Sequence, residues 1–277
     1  MSRFNQAPVQ PVFKPCLNHR IRFEPVAHIY SVFNCGEWQQ VKHSVSGLVA
    51  ACFERFDPQK VIEENFNRWR YNPASKYFHV ISRIMESGAS EETAKLSIAQ
   101  SWVEKGDEAA RTGTDRHAVY EAHVLGLDTC PQLENWIASF EDEHNIALKP
   151  ATAELAVFYE PGATVCQAAG CIDALFVDQF GEYWCVDWKT SKGVCPDAVS
   201  YRNGIGFASD IGDSKFNRYS LQLALYARLL KSCTNIDVGN RRIIGVAESE
   251  FSDMRTLFAE TSTSDRIASD ILDSLVV

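Results

Sequence analysis

Three consecutive extended segments, at 152–159, 167–178 and 182–189, constrain the fold of this chain more than any other feature. Each concentrates apolar and β-branched residues in the way that is typical of a buried strand. Gly181 supplies a tight turn between the second and third segments, so these two are expected to pair as an antiparallel hairpin.

Helical patterns enclose these strands in the sequence. One helix is predicted at 131–146, before the strands, and a strongly apolar one at 217–231, after an irregular loop. A fourth strand is predicted at 241–248 and a terminal helix at 262–275. The order helix, three strands, helix, strand indicates an α/β protein built on one mixed sheet.

The preceding residues are expected to form a separate, mainly helical region. The sequence predicts a flexible N-terminal tail at 1–23, a helical subdomain at 24–105 and the sheet-containing core at 106–277. Within and just after the subdomain we expect a strand at 28–33 and helices at 47–56, 58–69, 90–105 and 106–126.

Two acids and a lysine in the strand segments carry the most chemical information. Asp187 and Lys189 are two residues apart, so on a strand they point to the same face, and Asp173 lies on the neighbouring strand. Two carboxylates can hold Mg²⁺, and an adjacent ammonium can orient a water or stabilise charge on a phosphate. These groups are the minimum for metal-assisted hydrolysis of a phosphodiester.

A longer set of motifs surrounds these three residues. In order, the chain contains Gly113-Thr-Asp-Arg-His117-x3-Glu121, Glu154, Gly170-x2-Asp173, Asp187-Trp-Lys189 and Gln222-x3-Tyr226. Over 113–230 this pattern resembles the PD-(D/E)XK nuclease superfamily, and within it the RecB-type branch that includes CRISPR-adaptation nucleases and the mitochondrial genome maintenance exonuclease. The resemblance implies a restriction-endonuclease-like core, αβββαβ, flanked by helices.

The resemblance also implies a metal centre. His117, Asp173 and Asp187 would bind Mg²⁺ or Mn²⁺, and the backbone carbonyl of Trp188 would complete the coordination. Glu121, one helical turn after the histidine, would bond to it or to a metal-bound water. An isolated helix histidine more often bonds to a carbonyl or to water, and Glu121 fits a solvated helix charge equally well.

Four further residues would act in catalysis by the same resemblance. Lys189 would position the attacking water or stabilise the phosphate, and Glu154 would help to hold a metal or its water. Gln222 and Tyr226 share one face of the apolar helix, which in the family lies against the active site. Tyr226 also fits the buried stripe that this helix would have in any case.

Composition and charge restrict where the protein could act, but they leave its activity open. The net charge of −9 argues against a general binder of polyanions without excluding a nuclease, and no apolar run approaches the length of a membrane span. The nine cysteines include no CxxC pair, which favours reduced thiols in an intracellular protein whose compartment stays open. Only Cys233 follows the helix that carries Gln222, so the iron–sulfur cluster of some relatives is not expected.

The sequence therefore favours a metal-dependent deoxyribonuclease, an exonuclease on single-stranded DNA or DNA ends, in replication, recombination or repair. Alternatives are a non-catalytic nucleic-acid-binding module that keeps the nuclease fold, a dimeric endonuclease of restriction or junction-resolving type, and an unrelated α/β protein. DNA is the expected partner, no membrane is expected, and protein partners are not indicated. Residues 68–79 interleave basic and aromatic side chains, which suits single-stranded nucleic acid or, equally, a helix end packed on the core.

Overall fold

The computed structural model describes residues 20–24, 27, 29–160, 166–249 and 252–276. The chain divides into two compact units, of which the larger comprises Met1–Glu54 with Arg116–Val277 and the smaller comprises Arg55–Asp115. The smaller unit is thus inserted into the larger one, which differs from the expected subdomain at 24–105. The difference arises because residues 43–44 pair with the main sheet and so belong to the core.

The main sheet of the larger unit is mixed, as predicted, and it has six strands. Its strands are β4 (His43–Ser44), β5 (Leu148–Tyr159), β6 (Ala168–Asp178), β7 (Tyr183–Lys189), β8 (Arg242–Val246) and β9 (Arg255–Phe258). They follow the order β4-β6-β7-β8-β9, and β5 pairs with β6. Antiparallel pairs join β5 to β6, β6 to β7 and β8 to β9, whereas β4 with β6 and β7 with β8 are parallel.

One feature of β6 determines where the candidate site forms. The strand pairs with β4 only at Ala168 and Ala169, and with β7 only from Ala174 onwards. The residues between, from Gly170 to Asp173, therefore lie where β6 changes partner. A strand edge of this kind leaves side chains room to reach groups that a continuous ladder would cover.

A second, smaller sheet is formed by the N-terminal part of the larger unit. Its antiparallel strands are β1 (Ile21–Glu24), β2 (Ile29–Asn34) and β3 (Glu37–Gln40). The turn at Cys35 and Gly36 uses positive φ angles of 49° and 89°. The predicted tail at 1–23 lies mostly outside the described residues, and its last residues belong to β1.

Helices cover both faces of the main sheet. Those of the larger unit are α1 (Val45–Ala51), α5 (Pro131–His144), α6 (Lys215–Thr234) and α7 (Ser262–Ser274). On one face, α1, α6 and α7 pack in a cluster that includes Leu175 and Ile244. On the other face, α5 packs through Trp136, whose ring centroid lies 5.3 Å from that of Trp188.

The smaller unit is helical. It contains α2 (Pro58–Tyr71), α3 (Phe78–Glu86) and the first part of α4 (Glu91–Val124), which pack around a core that includes Phe66, Ile81 and Ile98. The sequence predicted two helices at 90–105 and 106–126, which is wrong, since α4 is continuous through Gly106. A single glycine inside a helix costs only about 1 kcal/mol, which is too little to end a helix of this length.

The remaining predicted elements are confirmed to within five residues, but α3, β1, β4 and β9 were not predicted. They contain nine residues or fewer, so their sequence patterns are weak. Among the described residues, no helix combines the length and the apolar character needed to cross a bilayer.

Gly170 tests how tightly α6 is packed onto β6. A Cβ atom built at this position would lie 2.6 Å from Cε1 of Tyr226 and 2.9 Å from Cγ2 of Val45, both on ordered core side chains. We predict that Gly170→Ala lowers the free energy of unfolding in urea by about 1–3 kcal/mol, because the core is overpacked.

Gly106→Ala is the matched control for this change. No atom lies within 4 Å of a Cβ at Gly106, which is in the interior of α4. This variant is expected to be about 1 kcal/mol more stable, from helix propensity. A Gly170→Ala protein as stable as the wild type would contradict the packing described here.

Candidate metal centre

The pairing of β6 with β7 brings Asp173 and Asp187 together. The antiparallel ladder ends at Ala174 opposite Val186, and the next residues on each strand are the two aspartates. In place of a further ladder bond, the backbone N–H of Trp188 donates to Asp173 Oδ2 at 2.7 Å. The two carboxylates thus occupy adjacent positions at the point where the hairpin ladder stops.

Burial makes this pair of acids electrostatically costly. Asp187 is 1% exposed, and the side chain of Asp173 is also largely enclosed. Loss of hydration raises the pKa of both carboxyls; that of Asp187 rises to about 6, with the charge of Asp173 adding to the effect. Like charges in such a place are compensated either by a proton or by a cation.

Lys189 supplies one compensating charge. It alternates with Trp188 along β7 and so points to the same face as Asp187, where its Nζ lies 2.6 Å from Asp187 Oδ2 and 4.8 Å from the ring centroid of Tyr219. Burial lowers the pKa of this ammonium, but the carboxylates of Asp187 and Asp173 outweigh burial and raise it. The predicted placement of both residues on one strand face is thus observed.

The ion pair encloses one buried oxygen. Asp187 Oδ2 lies 2.6 Å from the Lys189 ammonium in a place that solvent does not reach. The charge of this carboxylate is therefore balanced first by the lysine.

His117 reaches the same place from α4. Its Nε2 lies 2.9 Å from the carbonyl oxygen of Trp188, and its Nδ1 lies 3.6 Å from Asp173 Oδ2. Because a carbonyl only accepts, Nε2 carries the proton in this arrangement. Within the described contacts the imidazole bonds to the Trp188 carbonyl and not to Glu121, its predicted partner.

Glu154 lies on β5 and has an unusual backbone conformation. Its φ is +47°, in the left-handed region that non-glycine residues rarely adopt, and it lies between two residues that pair regularly with β6. Its carboxylate accepts a hydrogen bond from the thiol of Cys171 at 3.2 Å. Desolvation is the largest effect on its pKa, which is raised, with the charge of Glu121 contributing.

Three of these side chains form a set that could hold a metal ion. Ligand atoms of His117, Glu154 and Asp173 all lie within 4.8 Å of one another. Glu154 belongs to this set, whereas Asp187 lies beside it and pairs with Lys189, so its role as a ligand stays a prediction.

The donor types suit a divalent cation. Carboxylate and carbonyl oxygens are preferred by Mg²⁺, and one imidazole extends the set to Mn²⁺. The residues present therefore fit the metal that the resemblance implies.

Gln222 and Tyr226 lie on α6 and contact each other. The amide Nε2 of Gln222 donates to the Tyr226 hydroxyl at 3.0 Å. Burial, followed by the charges of Asp187 and Asp173, raises the pKa of this phenol well above its ordinary value. The Tyr226 ring occupies the space left by the missing side chain of Gly170, so two separate sequence motifs meet in one packing contact.

Tyr30 and Tyr219 also belong to this neighbourhood and were not predicted. Tyr30, on β2, is buried, and its pKa is raised by burial and then by Cys171, Glu154 and Asp173. Tyr219 bonds to Ser191 through its hydroxyl at 2.9 Å. The position of Tyr219, three residues before Gln222 on a helix, was the signal that could have identified it. No local pattern marks Tyr30.

Comparisons with known proteins add little to this description. No family model matches the chain, and no curated protein matches it. Among solved structures, one described as the crystal structure of SSO0001 is similar over 83% of this chain and 75% of its own, with 14% identity and a TM-score of 0.33.

The strained backbone of Glu154 generates a prediction. Glycine adopts positive φ without strain, so Glu154→Gly should make the metal-free protein about 1 kcal/mol more stable to urea. The same change removes a carboxylate from the candidate ligand set, so it should weaken Mn²⁺ binding, measured by calorimetry, by about tenfold or more.

Cys35→Gly provides the control for Glu154→Gly. Cys35 has a φ of 49° in an exposed turn away from the ligand set. The Cys35→Gly variant should gain comparable stability, and its affinity for Mn²⁺ should equal that of the wild type. If Glu154→Gly also bound Mn²⁺ like the wild type, Glu154 would not be a ligand.

The raised pKa of Asp187 should make the stabilisation of the protein by Mg²⁺ depend on pH. Because the folded protein holds this proton more tightly than the unfolded chain, the contribution of the group to stability falls as pH rises from about 4 to about 6. A divalent cation binds the ionised form. The increase in melting temperature that Mg²⁺ produces should therefore be small near pH 5 and large near pH 8.

The melting temperature measured in EDTA without added Mg²⁺ gives the reference value at each pH. A Mg²⁺ effect of equal size at both pH values would contradict binding at the buried acids. The Asp187→Asn variant should lose most of the pH dependence of the Mg²⁺ effect.

Proposed function

We propose that this chain is a Mg²⁺- or Mn²⁺-dependent deoxyribonuclease of the PD-(D/E)XK superfamily, similar to its RecB-type branch. The observation that carries the proposal is the convergence of His117, Glu154 and Asp173 beside the buried pair formed by Asp187 and Lys189. These residues come from three strands and one helix, and each belongs to a motif of the family pattern.

The order of elements supports the same proposal. After α4, which carries His117, the chain forms β5, β6 and β7, then α6 and β8, with α5 inserted before the strands. This order accommodates the αβββαβ core of restriction-endonuclease-like enzymes. In the proposed core, β6 and β7 supply the acids and α6 supplies Gln222 and Tyr226.

In this proposal the cation is held by His117, Glu154, Asp173 and the Trp188 carbonyl, with Asp187 close by. When bound, it would lower the pKa of a coordinated water and neutralise charge on the phosphate. The arrangement of Asp187 beside a lysine keeps that carboxylate ionised in a place where burial favours the proton. Its ionisation is what makes the site attractive to a cation at neutral pH.

Lys189 has the position required for the role implied by the family. Its ammonium is held by Asp187 and packed over the Tyr219 ring, so its charge is fixed without a bulk-water shell. A fixed positive charge in a dry site stabilises the additional negative charge of a phosphoryl transition state. Gln222 orients the Tyr226 hydroxyl beside the acids, and we assign these two residues to positioning.

The proposed substrate is single-stranded DNA or a DNA end, and the proposed setting is replication, recombination or repair. We predict that the protein degrades linear DNA in Mg²⁺ or Mn²⁺ and not in EDTA, while closed circular single strands remain intact. Asp187→Ala and Lys189→Met should each slow cleavage by about a hundredfold or more, because each removes a fixed charge from the reacting centre. Strands labelled at either the 5′ or the 3′ end report the rate and the polarity.

Lys192→Met is the matched control for Lys189→Met. Lys192 is exposed in the following loop, and its side chain makes no ion pair among the described residues. Lys192→Met should leave the rate of DNA cleavage within about twofold of the wild-type rate, as is usual for surface changes. Absence of cleavage by folded wild-type protein on every substrate would reject the nuclease, and cleavage of circles would make it an endonuclease.

A further inference from the structure

The smaller unit contains an open groove that the candidate metal centre does not use. Its volume is about 510 Å³, which is within the usual range for a ligand site. Four aromatic side chains and two lysines dominate its lining, namely Phe56, Trp69, Tyr77, Trp102, Lys76 and Lys105.

The aromatic residues form one connected cluster. The ring centroid of Trp102 lies 5.4 Å from that of Phe56, 6.1 Å from that of Trp69 and 6.0 Å from that of Tyr77. The indole N–H of Trp102 donates to the Tyr77 hydroxyl at 2.7 Å. Because this polar contact is made inside the cluster, the indole N–H and the phenol hydroxyl are satisfied there, and the rings add apolar surface to the groove lining. They would therefore hold an occupant by stacking, which does not depend on base identity.

Phe56 is the most accessible ring of the cluster. It is 62% exposed although it contacts Trp102. A large apolar side chain left open beside other aromatic rings is typical of a binding surface. Its substitution should also disturb the fold little, because most of the ring contacts solvent.

The two lysines give the groove its charge. Both are exposed, and within the described part of the chain neither ammonium pairs with a carboxylate; Lys76 Nζ lies 4.9 Å from the Tyr77 ring centroid. Lys95 of the same unit differs, since its Nζ is 2.8 Å from Glu63 and 3.3 Å from Glu91. Unpaired cations at an aromatic groove are complementary to an occupant with flat rings and negative charge.

We propose that this groove binds a single-stranded nucleic acid, with bases stacked on the aromatic cluster and phosphates beside Lys76 and Lys105. The combination of rings and lysines matches single strands, whose bases are free to stack, better than duplex DNA, whose bases are covered. The proposal rests on the proposed function for the choice of DNA as the strand. It gives the smaller unit the role of holding substrate.

The first test measures binding with cleavage prevented. Fluorescein-labelled oligothymidylate is titrated with the full chain in EDTA, and its anisotropy is compared between wild type and Phe56→Ala. We expect about tenfold weaker binding for Phe56→Ala, from the loss of one stacking partner. An abasic strand of equal length should bind weakly to both proteins and show no difference between them.

Two variants control for position and for folding. Tyr71→Ala removes a ring of the same unit that is 71% exposed and does not line the groove, and it should bind like the wild type. Phe56→Trp keeps a stacking surface and should restore affinity. Circular dichroism during thermal unfolding verifies that each variant is folded.

The second test addresses the lysines. For single strands, the logarithm of affinity falls with the logarithm of salt concentration by about 0.7 for each phosphate contact. The double variant Lys76→Gln, Lys105→Gln should therefore lower this slope by about 1.4. Lys231→Gln removes an exposed lysine of the larger unit and should leave the slope unchanged.

The outcomes distinguish failure of the groove proposal from failure of the proposed nuclease activity. Wild-type affinity in Phe56→Ala, or equal binding of abasic and normal strands, would overturn the groove proposal even if the protein cleaves DNA. Weakened binding in Phe56→Ala, together with no cleavage by the wild type, would support the groove and reject the nuclease.

Discussion

The burial of two like charges side by side is the constraint on which the rest of this structure depends. Asp173 and Asp187 lie at adjacent positions of β6 and β7, where loss of hydration raises the pKa of each. One ammonium, that of Lys189, lies against Asp187, and one backbone N–H is donated to Asp173. A protein selected for stability alone would gain by replacing such a group with apolar side chains. The proposed cation site would account for negative charge that is kept in a dry place.

The surrounding packing keeps that charge in position. β6 changes partner between Ala169 and Ala174, which frees its edge beside Asp173. Gly170 admits the Tyr226 ring at the same point, so α6 lies close against the strand. Glu154 adopts a left-handed backbone conformation next to the acids, and strain of this kind is common at functional sites. These three departures from regular structure thus occur around the same few residues.

The sequence predicted the main elements of the fold because they are long and strongly patterned. It predicted that Asp187 and Lys189 share a strand face, which follows from the two-residue period alone. It did not predict the continuity of α4 through Gly106, because an isolated glycine resembles a helix end. The division into units was also missed, since it depends on residues 43–44 pairing with Ala168 and Ala169, about 125 positions later.

The sequence predicted the arrangement of the candidate site less completely than the fold. The motifs identified His117, Asp173 and Glu154 as candidates, but the order of residues could not show that Glu154 joins the first two while Asp187 pairs with Lys189. Tyr30 was not identified because its proximity to the acids is produced by a separate sheet. Positions of this kind depend on long-range packing, which one sequence does not encode in a local pattern.

Anomalous diffraction from crystals soaked in Mn²⁺ would locate the ion in the proposed site without reference to activity. We expect a strong anomalous peak in contact with His117, Glu154, Asp173 and the carbonyl of Trp188, with the hydrogen bond from His117 to that carbonyl replaced. No peak at an ordered site, with the imidazole still bonded to the Trp188 carbonyl, would contradict the claim that the buried acids serve a divalent cation.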